Sequence, residues 1–304
     1  MVIYRHFIDC KWPGGQMDIW NNTKVSICGC GWLGYPLADH LVQLGAQVWG
    51  SRQTVAAAEA LSAIGVTGIP LCLPNDVVSP SQSVRDFFAT DVLVVNVPPG
   101  RQLGSVDAWQ QNVSQLLDVA QQCGTQRVIF ISTTAVYGNA KGTVYEDTPL
   151  QPETASGQAH ADMEQLVLQM WGDNAVVLRL SGLIGPGRHP VRFLSGRKAI
   201  PHGGDPVNLI HQADCIAAIK RIITLGQQGW GGHILHLAAH DHPSRSAYYC
   251  AMANQAGLPL PDFAPDSTAE IQQRDAKVID AGRTCELLGL TLLNPHLMSL
   301  PPEI

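Results

Sequence analysis

The apolar positions of this chain alternate between two rhythms. Short runs rich in β-branched and aliphatic residues occur at Lys24–Cys28, 46–50, 69–73, 91–97, 127–131 and Ala175–Leu180. Runs of this kind read as strands buried on both faces. Between them apolar residues recur three and four apart: Leu33, Leu37, Leu41 and Leu44, then stretches 55–64, 81–90, 107–123 and 159–171. That spacing places one apolar stripe on each helix, and Gly45, Gly65 and Gly124 stand where three of the helices should stop. Strands alternating with helices predict an α/β fold: a doubly wound parallel sheet of the Rossmann kind, with ligands across the carboxyl ends of the strands. Beyond residue 181 the alternation weakens as Gly, Pro and His become frequent. The pattern divides the chain into an N-terminal extension (1–23), a dinucleotide-binding domain (24–180) and a smaller substrate-binding region (181–304). That last region is expected to return a strand near 233–239 to the main sheet.

One turn carries the chemistry. Residues 29–34 read Gly-Cys-Gly-Trp-Leu-Gly, a GxGxxG pattern between a strand and a helix. In that context Gly29 permits a tight turn, Gly31 lets the backbone approach a pyrophosphate, and Gly34 allows close helix-on-strand packing. The helix N-terminus offers free N–H groups to the phosphates. Gly29, Gly31, Trp32, Leu33 and Gly34 are the candidate cofactor-binding residues, with Pro98 where the run 91–97 ends abruptly. An NAD-selective fold usually places an acidic residue about 20 positions past the first glycine, to hold the ribose 2′-hydroxyl. Here the second strand runs into Ser51-Arg52, and no Asp or Glu occurs between Asp39 and Glu59. Arg52, helped by Ser51, is the candidate partner of a 2′-phosphate, so NADP is expected over NAD.

Composition narrows the partners. A net charge of −6 argues against non-specific nucleic-acid binding. No apolar run approaches the roughly 18 residues of a membrane span, and no secretory signal is visible. Eight cysteines without a CxxC pair read as reduced thiols, hence a cytoplasmic protein. Met17 would suit a mature start, which makes residues 1–16 an expected upstream extension.

Several separated motifs together resemble the extended and atypical short-chain dehydrogenase/reductase superfamily, the NAD-dependent epimerase/dehydratase-like proteins, and look nearest to its bacterial YeeZ-type members. Besides the glycine turn, Ser132-Thr133-Thr134-Ala135-Val136-Tyr137-Gly138 is similar to the family's STxxVYG segment. The stretch from Leu178 to Arg188 resembles its RxxxxYGPGR loop, with Ile184 in place of the aromatic. Asn208-Leu209-Ile210-His211, followed by Asp214, resembles the segment that seats the substrate region. The resemblance implies a small-molecule substrate such as a nucleotide sugar, contacts from Arg188 and His211, and a homodimer. It also implies a catalytic Ser or Thr with a YxxxK pair. Thr133 fills the first place. Counting back from Glu164 puts His160 where the family has Lys and Ser156 where it has Tyr.

Histidine can move protons near neutral pH, so Thr133 and His160 are the candidate catalytic residues. Tyr137 and Tyr145 have no Lys at the fourth following position, and Tyr137 is expected to pack within its turn. The alternative reading is a non-catalytic NADP(H)-binding sensor. Residues 174–204 hold five cations and no acidic residue, either a field for an anionic substrate or a solvated loop with Arg179 tethered inside. His233, His236, His240 and His242 do not share a face with matching ligands, so no metal site is expected.

Overall fold

The computed structural model describes residues 17–99, 105–225, 230–265 and 276–304. Eleven strands are formed among them: β1 (Lys24–Cys28), β2 (Gln47–Arg52), β3 (Thr67–Pro70), β4 (Val92–Val95), β5 (Arg127–Thr133), β6 (Thr143–Val144), β7 (Ala175–Leu180), β8 (Gly182–Ile184), β9 (Leu209–His211), β10 (His233–Leu237) and β11 (Val278–Ile279). Seven of these build one all-parallel sheet in the order β10-β7-β5-β4-β1-β2-β3. The chain runs outward from β1 to β3, then returns beside β1 as β4 and runs the other way. That reversal opens a crevice between β1 and β4 at the carboxyl end of the sheet. The expected late strand is β10, paired with β7 from His233↔Val176 to Leu237↔Leu180.

The strands are apolar throughout because each face lies under helices. Val92 and Val94 of β4 join the core beneath helices Gly34–Gln43 and Gln212–Thr224. Leu93 and Val95 join the opposite core beneath Gln82–Phe88, Ser105–Gln122 and Ala155–Trp171. Both sets are fully buried, which explains the missing hydrophobic–polar alternation.

Several boundaries differ from the sequence reading, each for a local reason. The helix expected at 159–171 starts at Ala155, because the Thr154 side chain caps it by accepting from Gly157 N–H. The helix expected over 55–64 tightens into a 3₁₀ turn from Ala60 to Ile64 before Gly65 closes it at φ 76°. The strand expected at 69–73 pairs earlier, at Thr67–Pro70, where Gly68 lies hard against the Ala58 carbonyl. Residues 1–16 of the expected extension lie outside the described residues. Met17–Asn21 is a short helix whose Trp20 is buried in the main core, so the core begins before residue 24.

Past residue 181 the chain divides. Ile216, Ile219, Leu235 and Leu288 return to the main sheet, while Ile184, Val207, Tyr248, Met252 and Leu297 form a second cluster. No helix of the described residues is long and apolar enough to cross a membrane.

A polar row crosses the sheet inside this apolar frame. Ser132, Arg179 and His236 are register neighbours on β5, β7 and β10. Arg179 pairs with Glu164 at 2.7 Å, both nearly inaccessible, and the Ser132 hydroxyl donates to the same carboxylate. Arg179 also donates to the Tyr137 hydroxyl at 2.8 Å, which in turn meets His236 Nδ1 at 3.0 Å. His236 Nε2 reaches the Asp280 carbonyl at 2.7 Å, so Nε2 carries the proton and Nδ1 accepts from Tyr137. Burial lowers the His236 pKa and raises that of Tyr137, the latter against the pull of the Arg179 guanidinium.

The second cluster holds another buried histidine. His189 Nδ1 accepts from Val191 N–H at 3.2 Å, and its Nε2 meets the Tyr248 hydroxyl at 2.9 Å. Burial pushes its pKa down to about 4. An unfolded histidine titrates near 6.5, so the neutral ring favours the fold above that pH, and the contribution falls as pH drops from about 6.5 towards 4. Chemical denaturation should therefore show the wild type losing about 2 kcal/mol from this group between pH 7 and pH 5. His189→Gln should have a shallower slope by that amount; equal slopes would remove His189 from the acid sensitivity.

Candidate functional site

The turn between β1 and helix Gly34–Gln43 assigns a different task to each glycine. Gly29 has φ 98°, and a Cβ there would run into the Asn96 carbonyl. A Cβ on Gly34 would strike the Gly29 carbonyl, so the helix can approach the strand only without a side chain at that place. A Cβ on Gly31 meets nothing within 4 Å. The turn is thus closed on its protein side at Gly29 and Gly34 and open at Gly31. Free backbone N–H groups at the start of the helix and the open middle glycine fit a dinucleotide pyrophosphate.

Neighbouring residues hold the turn. Asn96 Nδ2 donates to the Gly29 carbonyl at 3.1 Å, and Asn96 N–H donates to the Cys28 carbonyl at 2.9 Å. Asn96 was not among the expected residues; the signal available was a lone amide closing an apolar strand. Ser51 Oγ accepts from Gly29 N–H at 3.0 Å and is buried, so this hydroxyl braces the turn from within. Arg52, half-buried at the end of β2, donates to the Cys30 carbonyl and lies beside the turn, where the adenosine ribose of a bound dinucleotide would come. Pro98 is exposed just beyond β4, on the other side of the crevice.

Trp32 and Leu33 fill the two variable places of the turn and point to different partners. Leu33 is buried in the main core. Trp32 Nε1 donates to the Pro186 carbonyl at 2.7 Å, and Arg188 stacks over the indole with its guanidinium carbon 5.0 Å from the ring centroid. Gln212 Nε2 donates to the Trp32 carbonyl at 2.6 Å. The expected substrate residue Arg188 is therefore brought to the glycine turn. His211 lies nearby as the cap of helix Gln212–Thr224: its Nδ1 accepts from Ala213 N–H at 3.2 Å and from Asn294 at 3.1 Å, and Nε2 donates to Glu303 at 3.1 Å.

The candidate catalytic pair is less tightly joined. Thr133 ends β5, and its Oγ1 accepts from Ala135 N–H at 3.2 Å, which leaves the hydroxyl proton free to donate. His160 is 7% exposed, stacked on Trp109 at 4.8 Å, with Nδ1 bonded to the Ser156 carbonyl at 2.7 Å. Nδ1 is thus the donor and Nε2 the acceptor, and burial lowers the pKa. No hydrogen bond joins His160 to Thr133.

Of the two readings of residues 174–204, Arg179 is tethered inside by Glu164, and Lys198 lies 3.7 Å from Asp262. Among the described residues no three His, Cys, Asp or Glu converge as metal ligands.

Comparison with known proteins agrees with this architecture. The profile of the NAD dependent epimerase/dehydratase family matches residues 27–238. Protein YeeZ of Escherichia coli K12 is 38% identical over 280 residues, spanning 92% of this chain and 99% of that protein. Among solved structures, UDP-glucuronic acid 4-epimerase from Bacillus cereus in complex with NAD superposes with a TM-score of 0.73 at 17% identity, covering 90% of this chain and 95% of that one. MoeE5 in complex with UDP-glucose and NAD gives 0.70 at 19% identity, covering 88% and 93%. At these identities the structural matches speak for the fold alone. With the family's profile matched over most of the sheet and a relative aligned almost end to end, the chain belongs to the NAD-dependent epimerase/dehydratase family.

Proposed function

We propose that this chain binds NADP(H) across the glycine turn and acts on a nucleotide sugar as an oxidoreductase or epimerase-like enzyme with a non-standard acid/base set. The observation that carries the reading is the open face at Gly31 between two glycines packed against backbone. Gly31, Trp32 and the first N–H groups of the helix would hold the pyrophosphate, and Arg52 the 2′-phosphate. A bound nicotinamide coenzyme supplies hydride exchange with a substrate carbon. Thr133 presents its hydroxyl proton to the substrate oxygen, and the neutral His160 ring offers Nε2 as the group that accepts a proton. The nucleotide-sugar assignment takes its lead from MoeE5, a similar fold solved with UDP-glucose and with UDP-glucuronic acid.

A reducing, cytoplasmic setting suits the turn's two thiols. Burial pushes Cys28 and Cys30 up to about 12, so both stay protonated and unreactive.

One observation favours a second reading. His160 is packed on Trp109 without a bond to Thr133, as expected of a chain that keeps the coenzyme site but lacks turnover. Such a protein would report NADP(H) occupancy to a partner. Screening NADPH oxidation with nucleotide sugars and simple carbonyls separates the two. Turnover that Thr133→Ala abolishes supports the enzyme; tight NADPH binding without turnover in any assay supports the sensor.

Two binding predictions test the coenzyme site. Gly31→Ala adds a Cβ that meets nothing within 4 Å, so its melting temperature should match the wild type while NADPH affinity, read by Trp32 fluorescence, falls. Unchanged affinity would move the site elsewhere. Arg52→Ala should weaken NADPH by about tenfold or more, the worth of one charge-assisted hydrogen bond, and spare NADH. Equal loss for both coenzymes would contradict NADP selectivity.

A further inference from the structure

His211 carries a donor whose direction is fixed from behind. Its Nδ1 accepts from Ala213 N–H at 3.2 Å and from Asn294 Nδ2 at 3.1 Å. Asn294 Nδ2 also donates to Asp214 at 3.1 Å, and that buried carboxylate accepts from Leu293 N–H as well. With two N–H groups aimed at Nδ1, the ring proton sits on Nε2. Nε2–H is thus a preset donor, and it stands beside the coenzyme turn. His211 ends β9 in register with Ile184, and Gly185 follows. A Cβ on Gly185 would stand 3.2 Å from Trp32 Cζ2 and 3.4 Å from His211 Nε2. Imidazole and indole therefore cover the same glycine, and the loop that begins there brings Arg188 over the same indole.

An anion of the chain itself holds this donor. Glu303 Oε2 accepts from His211 Nε2 at 3.1 Å, and among the described residues Glu303 makes no other hydrogen bond or ion pair. The arm that brings it is anchored as far as Leu300. Leu292 is buried in the main core and Leu297 in the second cluster, where Leu300 also packs, and Leu297 N–H donates to Asp241 at 2.7 Å. Beyond that anchor Pro301, Glu303 and Ile304 are exposed. The two side chains of the pair are 17% and 44% exposed, and a pair so open to water is weak. The carboxylate can therefore leave without disturbing either core.

We propose that Glu303 is an internal stand-in for the anionic part of a substrate: its carboxylate occupies the His211 donor until a diphosphate takes its place. This rests on the nucleotide-sugar reading above, which supplies the diphosphate. An anion brought to Trp32 and Arg188 meets a carboxylate already beside them, and like charges repel until Glu303 swings away. The arm thereby sets a threshold on substrate affinity. The threshold is small, because the ligand replaces one exposed pair and unfolds nothing. A sugar without a diphosphate has no group to exchange for the carboxylate and leaves the arm where it is.

Calorimetry on the full chain saturated with NADP⁺ tests this, with UDP-glucose and inorganic pyrophosphate as probes. Glu303→Ala should bind both about two- to fivefold tighter than the wild type, the worth of one exposed ion pair. His211→Asn is the companion variant: asparagine caps helices well, so the fold survives while the Nε2 donor is lost. In that background Glu303→Ala should bring no gain, because nothing holds the carboxylate in place. UDP-glucose bound equally by the wild type and Glu303→Ala, or a gain that persists in full with His211→Asn, would overturn the stand-in and leave the nucleotide-sugar reading standing. Tighter pyrophosphate binding by Glu303→Ala, with UDP-glucose bound by no protein, would keep the stand-in and overturn that reading. Binding of neither probe by any of the proteins would overturn both.

Discussion

The ion pair between Arg179 and Glu164 is the contact on which this architecture leans. Both side chains are almost wholly removed from water, and such a pair gains little over an apolar one because desolvation cancels much of the attraction. Its importance lies in what losing one member would do. A single buried charge left behind costs roughly 3–5 kcal/mol, a large share of a domain's stability. The pair also determines geometry. Glu164 stands on helix Ala155–Trp171, Arg179 on β7, and the same guanidinium fixes Tyr137 in the turn after Thr133. One cation thereby positions the helix bearing His160 against the strand ending in Thr133.

Tyr137 extends that constraint to the far edge of the sheet. Its hydroxyl accepts from Arg179 and donates to His236, whose other nitrogen holds the Asp280 carbonyl next to β11. The segment carrying Lys277 is therefore tied to the core from two sides: through His236 below and through Asn208 above. Buried polar networks with every member satisfied specify one arrangement, because any alternative strands a donor or acceptor. Here the network ends in one gap, as Glu146 Oε2 is buried without a partner.

The sheet was readable in the sequence because its strands are apolar without alternation and its helices end at glycines. The glycine turn was readable because three backbone constraints recur at fixed spacing. Helix Gln212–Thr224 was harder, since its cap is the ring of His211 rather than a Ser, Thr, Asp or Asn. Helix Arg245–Gln255 has a proper Ser244 cap but no strong stripe, because it packs on the small second cluster. Strands β8 and β9 are too short to show a period. The cations of residues 174–204 looked like a cluster along the chain, but strand pairing and Glu164 buried the first of them. Glu303 gave no signal: it meets His211 across 92 positions, a distance no local pattern encodes.

Trp32 makes the coenzyme turn and the C-terminal region mechanically one piece. Its indole is bonded to Pro186 and its carbonyl to Gln212, so a shift of the dinucleotide cradle at Trp32 pulls on both bonds. A ligand that draws this tryptophan inward must drag the 185–188 loop along, and one that seats that loop must preset the cradle. Thermodynamic reciprocity then makes the order of arrival immaterial to the final affinity: each occupant raises or lowers the other's hold by the same factor.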